Sequence, residues 1–222
     1  MDLNFNLFFE RYERIRAQAD DIFKKIKQQY PDCVKCKLEC SDCCHALFDI
    51  TLIEALYINH HFNKELSNNR KTQLLELANK ADRMIYKLKR KAAKSFESGE
   101  SEYSILTELA KERVTCPLLT SNKRCELYQY RPITCRIYGI PTSIAGEGHT
   151  CGLSEFKPGE SYPTVNLDAI QSKLLEISNK LTAEIKSKYL KLGEILVPIS
   201  MALLTTYDEN FLGIVEKDSK SD

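Results

Sequence analysis

The sequence predicts a mainly α fold, a helical scaffold around a loop-rich, cysteine-rich centre. Three observations carry that expectation. Apolar residues recur at helical spacing through most of the chain. From Cys116 to Cys151 that periodicity gives way to prolines, glycines and turn residues, and all nine cysteines fall between Cys33 and Cys151. At 222 residues the chain can form one well-packed domain by burial alone. We expect a single domain over 1–222, with the cysteine core at 33–151 and helical flanks at 1–32 and 152–217.

The elements follow in order. From Leu7 to Tyr30, apolar residues at Phe8, Tyr12, Ile15, Ala19, Ile22 and Ile26 alternate by fours and threes, one face of a helix that Pro31 ends. After the first cysteines, Thr51 and Glu54 have the spacing of a capping box, and the helix they open is expected to reach about His61. Ser67 to Phe96 predicts a long helix with Leu74, Leu77, Ala81, Ile85 and Leu88 on one face and a basic set (Arg83, Lys87, Lys89, Arg90, Lys91, Lys94) around the rest. Such a set is more often a solvated face than a nucleic-acid interface. Ser95 to Ser104 is a polar break before a short helix through Ile105, Leu106, Leu109 and Ala110. Pro117, Pro132, Pro141 and the turn residues 121–124 make Cys116 to Cys151 a loop-rich module with a small hairpin. Leu167 to Tyr189 resumes a helical pattern at Ile170, Leu174, Ile177, Leu181 and Ile185, and Ile195 to Tyr207 is an apolar segment that closes the fold. The tail after Lys217 is polar and expected to be disordered.

Composition narrows the function. Met1 to Asp20 carry Asp2, Glu10, Arg11, Glu13, Arg14 and Arg16, which interrupt the apolar core of a signal peptide. No run approaches the ~18 apolar residues of a membrane span. Lys and Arg total 32 against 31 Asp and Glu, so no global field gathers nucleic acid or an anionic membrane. The expectation is a soluble cytoplasmic protein with neither nucleic acid nor membrane as partner. In that reducing compartment clustered cysteines point to metal or redox chemistry rather than to disulfides.

Five of the nine cysteines occupy the twelve residues Cys33 to Cys44. Cys36, Cys40 and Cys43 are close enough for one loop to aim several sulfurs at one point, a spacing that suits zinc or an iron–sulfur cluster and does not choose between them. Adjacent Cys43 and Cys44 project in divergent directions, so one of them is expected to face a different metal, or a different iron of a multi-iron cluster. Gaps of eight, nine and fifteen residues separate Cys116, Cys125, Cys135 and Cys151, too wide for a knuckle. This second group is therefore expected to fold back on the first. A metal joining the two would close a loop of over seventy residues, and its loss would loosen the whole centre.

The run Cys-x-x-x-Cys-x-x-Cys-Cys at 36–44, Cys116-Pro-Leu-Leu, and Cys125-Glu-Leu-Tyr-Gln-Tyr-Arg-Pro-Ile-Thr-Cys135-Arg-Ile-Tyr resembles the YkgJ-type cysteine-cluster family of zinc- or iron-chelating domains. The resemblance spans about Cys36 to Cys151. It implies eight metal-directed cysteines: Cys36, Cys40, Cys43, Cys44, Cys116, Cys125, Cys135 and Cys151. A cluster of this type also occurs in flagellin lysine methylases, where it accompanies methyl transfer.

Other residues have two readings each. Cys33 is an extra ligand, an exchangeable thiol or a small buried residue. Arg131 and Arg136 either donate to thiolates or sulfides and offset their charge, as cofactor-binding groups, or Arg131-Pro132 only starts a helix and both arginines pair with carboxylates. His45 and His149 are ligands, hydrogen-bonding groups or surface residues. His60 and His61 read as caps or surface residues. Glu54 reads as a cap before a general base.

The expected function is metal binding through the cysteine cluster, with an iron–sulfur cluster of 4Fe-4S type in a redox or structural role. One alternative is a cluster-supported enzyme such as a peptide-modifying lysine methyltransferase, which would bring a protein or peptide partner. Against it, Gly146-Glu147-Gly148 lacks the third glycine of a dinucleotide-type loop. The other alternative is a protein that binds or traffics zinc or iron ions.

Overall fold

A computed structural model describes residues 4–214. The expected disorder after Lys217 lies outside those residues. In chain order the elements are α1 (Asn6–Gln29), β1 (Asp49–Thr51), α2 (Leu52–Glu65), α3 (Asn68–Glu97), α4 (Glu102–Lys111), α5 (Ile133–Ile137), β2 (Thr142–Ile144), β3 (Glu147–His149), β4 (Val165–Asn166), α6 (Leu167–Glu184), β5 (Leu196–Pro198), α7 (Ile199–Leu204) and α8 (Glu209–Leu212). Helix dominates, and the sheets are small. No helix among the described residues is long and apolar enough to cross a membrane.

Helix α2 is the axis of the packing. Every residue from Leu52 to Ile58 is buried, because apolar side chains occupy its whole circumference apart from Glu54. Phe9 and Tyr12 of α1 and Leu174, Ile177 and Leu181 of α6 pack with Leu56 and Tyr57 in one core cluster. Leu74 and Ala78 of α3 and Ala202 and Leu203 of α7 pack with Ile58 and Phe62 in a second. A small third cluster joins Ala81, Ile85 and Val114.

The capping box forms as the sequence indicates. The backbone N–H and hydroxyl of Thr51 both donate to Glu54 Oε2, at 3.1 and 3.0 Å. α2 then continues past His61 to Glu65, because Phe62 prolongs its buried face. His61 therefore does not cap a helix end. Its ring stacks on Tyr130, with centroids 3.7 Å apart. Along α3 the buried stripe is Leu74, Ala78, Ala81 and Ile85, whereas Leu77 is 42% exposed. Ala78 meets Ala202 of α7 in one cluster, and small residues there let the two helices approach closely.

The short strands orient the helices. β1 pairs antiparallel with β5, Asp49 opposite Pro198 and Thr51 opposite Leu196, so α2 and α7 start from one ladder. The hairpin expected in the loop-rich module is β2–β3, and β4 adds to β2 in parallel. Its two-residue turn, Ala145-Gly146, has φ of +50° and +83°, the left-handed pair that such a turn requires. Asp168 Oδ2 accepts from the Ala145 N–H at 2.7 Å and holds the alanine in that conformation.

Candidate metal centre

Backbone hydrogen bonds bring the two cysteine groups together. The Cys116 N–H donates to the Cys44 carbonyl at 2.7 Å, and Val114 N–H to the His45 carbonyl at 3.1 Å. Cys125 lies on a tight loop whose Glu126 N–H returns to the Leu118 carbonyl at 2.8 Å, and the Glu126 carboxylate takes two bonds from Arg70 of α3. Cys135 sits in α5, entered through Pro132. Ile133 and Ile137 of that helix are buried against α1, and Glu54 Oε1 accepts from Ile133 N–H at 3.0 Å. The buried carboxylate that caps α2 thus also fixes the helix carrying Cys135. Lys27 Nζ donates to the Cys36 carbonyl at 2.9 Å, anchoring the first cysteine segment to the end of α1.

Seven cysteines, Cys36, Cys40, Cys43, Cys44, Cys116, Cys125 and Cys135, line one cavity of about 300 Å³. Cys43 is its hub. Hydrogen bonds from the thiols of Cys135 and then Cys44 draw its pKa down to about 3, with Arg131 adding to the effect. Burial pushes Cys116 up to about 12 and Cys125 to about 11, with neighbouring sulfurs reinforcing it. Cys36 rises to about 12 through burial, and then through Cys40, Cys151 and Cys43. Cys44 and Cys135 are raised first by their hydrogen bonds to Cys43. The sulfurs thus form two groups that share Cys43: Cys36, Cys40 and Cys151 on one side, and Cys44, Cys116, Cys125 and Cys135 on the other. Adjacent Cys43 and Cys44 are hydrogen-bonded to each other, and Cys43 is also among the sulfurs that raise Cys36.

Cys151 stands outside the cavity wall. It is buried, and its sulfur lies 3.5 Å from Asp42 Oδ2 and 3.4 Å from the Leu153 N–H. Arg113 donates to both the carbonyl and the carboxylate of Asp42, holding the turn that bears Cys43 and Cys44. Cys33 lies outside the cavity wall; like Cys36 it packs against the main core, and its carbonyl accepts from Glu155 N–H at 3.0 Å. His45 Nδ1 lies 3.3 Å from the Thr115 hydroxyl, and His149 is exposed on β3.

The two arginines differ. Arg131 lies over the Tyr128 ring at 3.8 Å, and its charge favours the thiolate form of Cys43 and, against the burial that raises it, of Cys125. Arg136 is buried and bound to Asp20, with further bonds to the carbonyls of Gln129 and Arg131. Its guanidinium holds the Arg131 backbone, and the carboxylate-pairing reading describes it. Asp20 lies 116 residues from Arg136, a distance across which no sequence spacing signals a pair.

Gly139 is a determinant that the sequence reading treated only as a loop glycine. A Cβ there would lie 2.0 Å from Cys36 Sγ. Gly139→Ala is expected to swing Cys36 out of the cavity and to lower metal content by about half or more while the far-ultraviolet circular dichroism is retained. Unchanged metal content would show that Cys36 is not a ligand.

Among the described residues no three His, Cys, Asp or Glu side chains already surround one ion position; the sulfurs are gathered by pairwise contacts. The donor set nonetheless fits a thiophilic cation. The cavity wall contains seven sulfurs, five cationic side chains and no carboxylate. A cation entering it displaces protons from the raised thiols of Cys36, Cys116 and Cys125, whereas hydrogen bonds from Cys135 and Cys44 favour the thiolate of Cys43. Affinity must then rise with pH, by up to about tenfold per unit for each proton released. Competition with a chelator between about pH 6 and 8, corrected for the chelator's own titration, checks this. A flat profile would mean that these thiols are not displaced.

A family model described as CxxCxxCC, putative zinc- or iron-chelating domain, matches residues 35–152. That span covers more than half of the chain and includes the eight cysteines from Cys36 to Cys151, leaving Cys33 outside. No curated protein and no solved structure matches the chain. With this match and the convergence of its sulfurs, the chain belongs to the CxxCxxCC family, and its cysteine centre binds metal, zinc or iron.

Proposed function

We propose that the eight-cysteine centre holds an iron–sulfur cluster, of 4Fe-4S type, on four of its thiolates, in a redox or structural role. The observation that supports this reading is the lining of one cavity by seven sulfurs from both halves of the cysteine pattern, which supplies the four thiolates that such a cluster takes, one to each iron. When bound, such a cluster supplies a site that gains and loses one electron. The chain's own residues hold and shield it. Arg131 offsets thiolate charge, and Arg136, fixed by Asp20, positions Arg131. Leu118, buried in the cavity wall, keeps water from the inner side.

A pair of zinc ions is the second reading, favoured by the division of the sulfurs into two groups that share Cys43. Anaerobic purification followed by iron, zinc and acid-labile sulfide analysis of one sample separates the two. Iron and sulfide in similar amounts, with a broad charge-transfer absorption that bleaches on reduction, support the cluster. Zinc without sulfide or colour overturns it.

A further inference from the structure

The second half of α3 and all of α4 form a helical hairpin with almost no core of its own. From Tyr86 to Lys111, all within the described residues, only Ile105 is buried. Helices draw most of their stability from a packed apolar face. Yet Tyr86, Phe96 and Tyr103 stand 63%, 64% and 77% exposed, and Met84 and Leu106 are exposed as well. An aromatic side chain carries about 150–250 Å², so each chain presents roughly 300–500 Å² of bare aromatic surface on this hairpin. Scattered singly, such residues are ordinary; gathered on one coreless hairpin, they mark a contact surface.

Charge is segregated along the same hairpin. Between Lys80 and Lys94 seven cations meet one carboxylate, Asp82, which accepts from the Ser200 hydroxyl of α7 and so faces the core side. Lys80, Arg83, Lys87, Arg90 and Lys94 recur at intervals of three and four, an exposed stripe on the side of α3 away from Leu74, Ala78, Ala81 and Ile85. Of the seven cations only Lys89 makes an ion pair among the described residues, with Asp49 at 2.6 Å, and Lys91 acts on Glu100. Between Glu97 and Glu112 the sign reverses, with five carboxylates against Lys111 alone. Glu97, Glu100 and Glu102 fall between the exposed Phe96 and Tyr103, so the tip of the hairpin is acidic and aromatic while the stripe is basic. Solvation accounts for a row of cations; it accounts neither for the bare rings nor for a tip of the opposite sign.

We propose that the hairpin is a homodimer interface, in which the acidic, aromatic tip of one copy seats on the basic stripe of the other. Two antiparallel α3 helices related by a two-fold axis make that contact twice, since each copy carries both halves of the patch. A second copy is the partner that the charges select: tip and stripe are opposite in sign and belong to one chain whose net charge is only +1, whereas a polyanion would meet the acidic tip as well as the stripe. Doubled by the two-fold, the aromatic surface with its charged surround reaches the scale of the ~1,000 Å² that a specific interface buries. The inference is independent of which metal the cysteines hold.

Sedimentation equilibrium of the metal-loaded full chain tests this. A dimer is expected at roughly 100 μM in low salt, with a dissociation constant that rises at least ~10-fold between about 50 and about 500 mM NaCl. Two charge-reversed chains carry the decisive comparison, each checked for metal content and circular dichroism. Lys87→Glu with Arg90→Glu sets an acidic stripe against an acidic tip, and Glu97→Lys with Glu102→Lys sets a basic tip against a basic stripe. Each alone is expected to self-associate at least ~10-fold more weakly than the native chain. Mixed in equal amounts they are expected to form a heterodimer, because every reversed patch then meets its opposite. If a reversed chain does not fold, Phe96→Ser decides; this ring belongs to no core cluster, and its loss should weaken native self-association about tenfold. The proposal is overturned if the native chain stays monomeric at this concentration, if the reversed chains dimerise as the native one does, or if their mixture stays monomeric.

Discussion

Cys43→Ala is expected to remove most of the bound metal and to lower Tm by about 10 °C or more. Cys43 accepts hydrogen bonds from Cys135 and Cys44, and its charge is felt by Cys36, Cys116 and Cys125. A metal held across segments more than seventy residues apart contributes its binding free energy to folding, so losing even ~3 kcal/mol of it shifts Tm by about this much in a chain of this size. The control is Cys33→Ala, at a cysteine outside both the cavity wall and the matched family span, which should leave the metal content unchanged. Metal analysis and thermal denaturation of both variants make the comparison. Equal effects of the two substitutions would refute the shared role given to Cys43.

Glu54→Ala is expected to be the most damaging substitution outside the cysteines. The side chain is 4% exposed and accepts from the Thr51 N–H, the Thr51 hydroxyl and the Ile133 N–H. Alanine leaves two buried backbone donors without a partner, at about 1–3 kcal/mol each, and Tm should fall by roughly 5–15 °C. Because Ile133 begins the helix that bears Cys135, metal affinity should fall as well. Thr51→Ala loses only the hydroxyl bond, leaves Ile133 held, and should lower Tm with little change in metal affinity. Identical metal affinities for Glu54→Ala and the native chain would limit Glu54 to capping. Burial raises the Glu54 carboxyl pKa against its three hydrogen bonds. Its contribution is therefore complete below the ordinary glutamate pKa and declines as pH rises through the raised value, so the Tm gap between native and Glu54→Gln proteins should narrow toward higher pH.

The helices were legible because their signals are local. Fours and threes of apolar residues mark α1 and α6, and Thr51 with Glu54 announces α2 at the start of its buried run. Strands β1 and β5 carry no such signal: three residues are too few for an alternation, and their partners lie almost 150 residues apart. Leu77 and Ala78 show another limit. Periodicity locates the face of α3 but not which of two neighbours lies against α7; that depends on how closely the helices approach.

The same division holds at the centre. Cysteine spacing is written along the chain, and the expected folding of the second group onto the first is seen in the bond from Cys116 to Cys44. The supporting contacts are not. Glu54 with Ile133, Asp20 with Arg136, Asp42 with Arg113 and Gly139 with Cys36 each join residues that only the fold brings together. Glu54 illustrates this best: its capping role was readable, whereas its hold on the Cys135 helix was not.

The most direct test of the account is the first coordination shell of the bound metal, read by X-ray absorption at the iron and zinc edges on anaerobically purified protein. A shell of sulfur alone is predicted, since the cavity offers seven sulfurs and no carboxylate or histidine in its wall. A shell dominated by nitrogen or oxygen would place the metal elsewhere in the chain and contradict the centre described here.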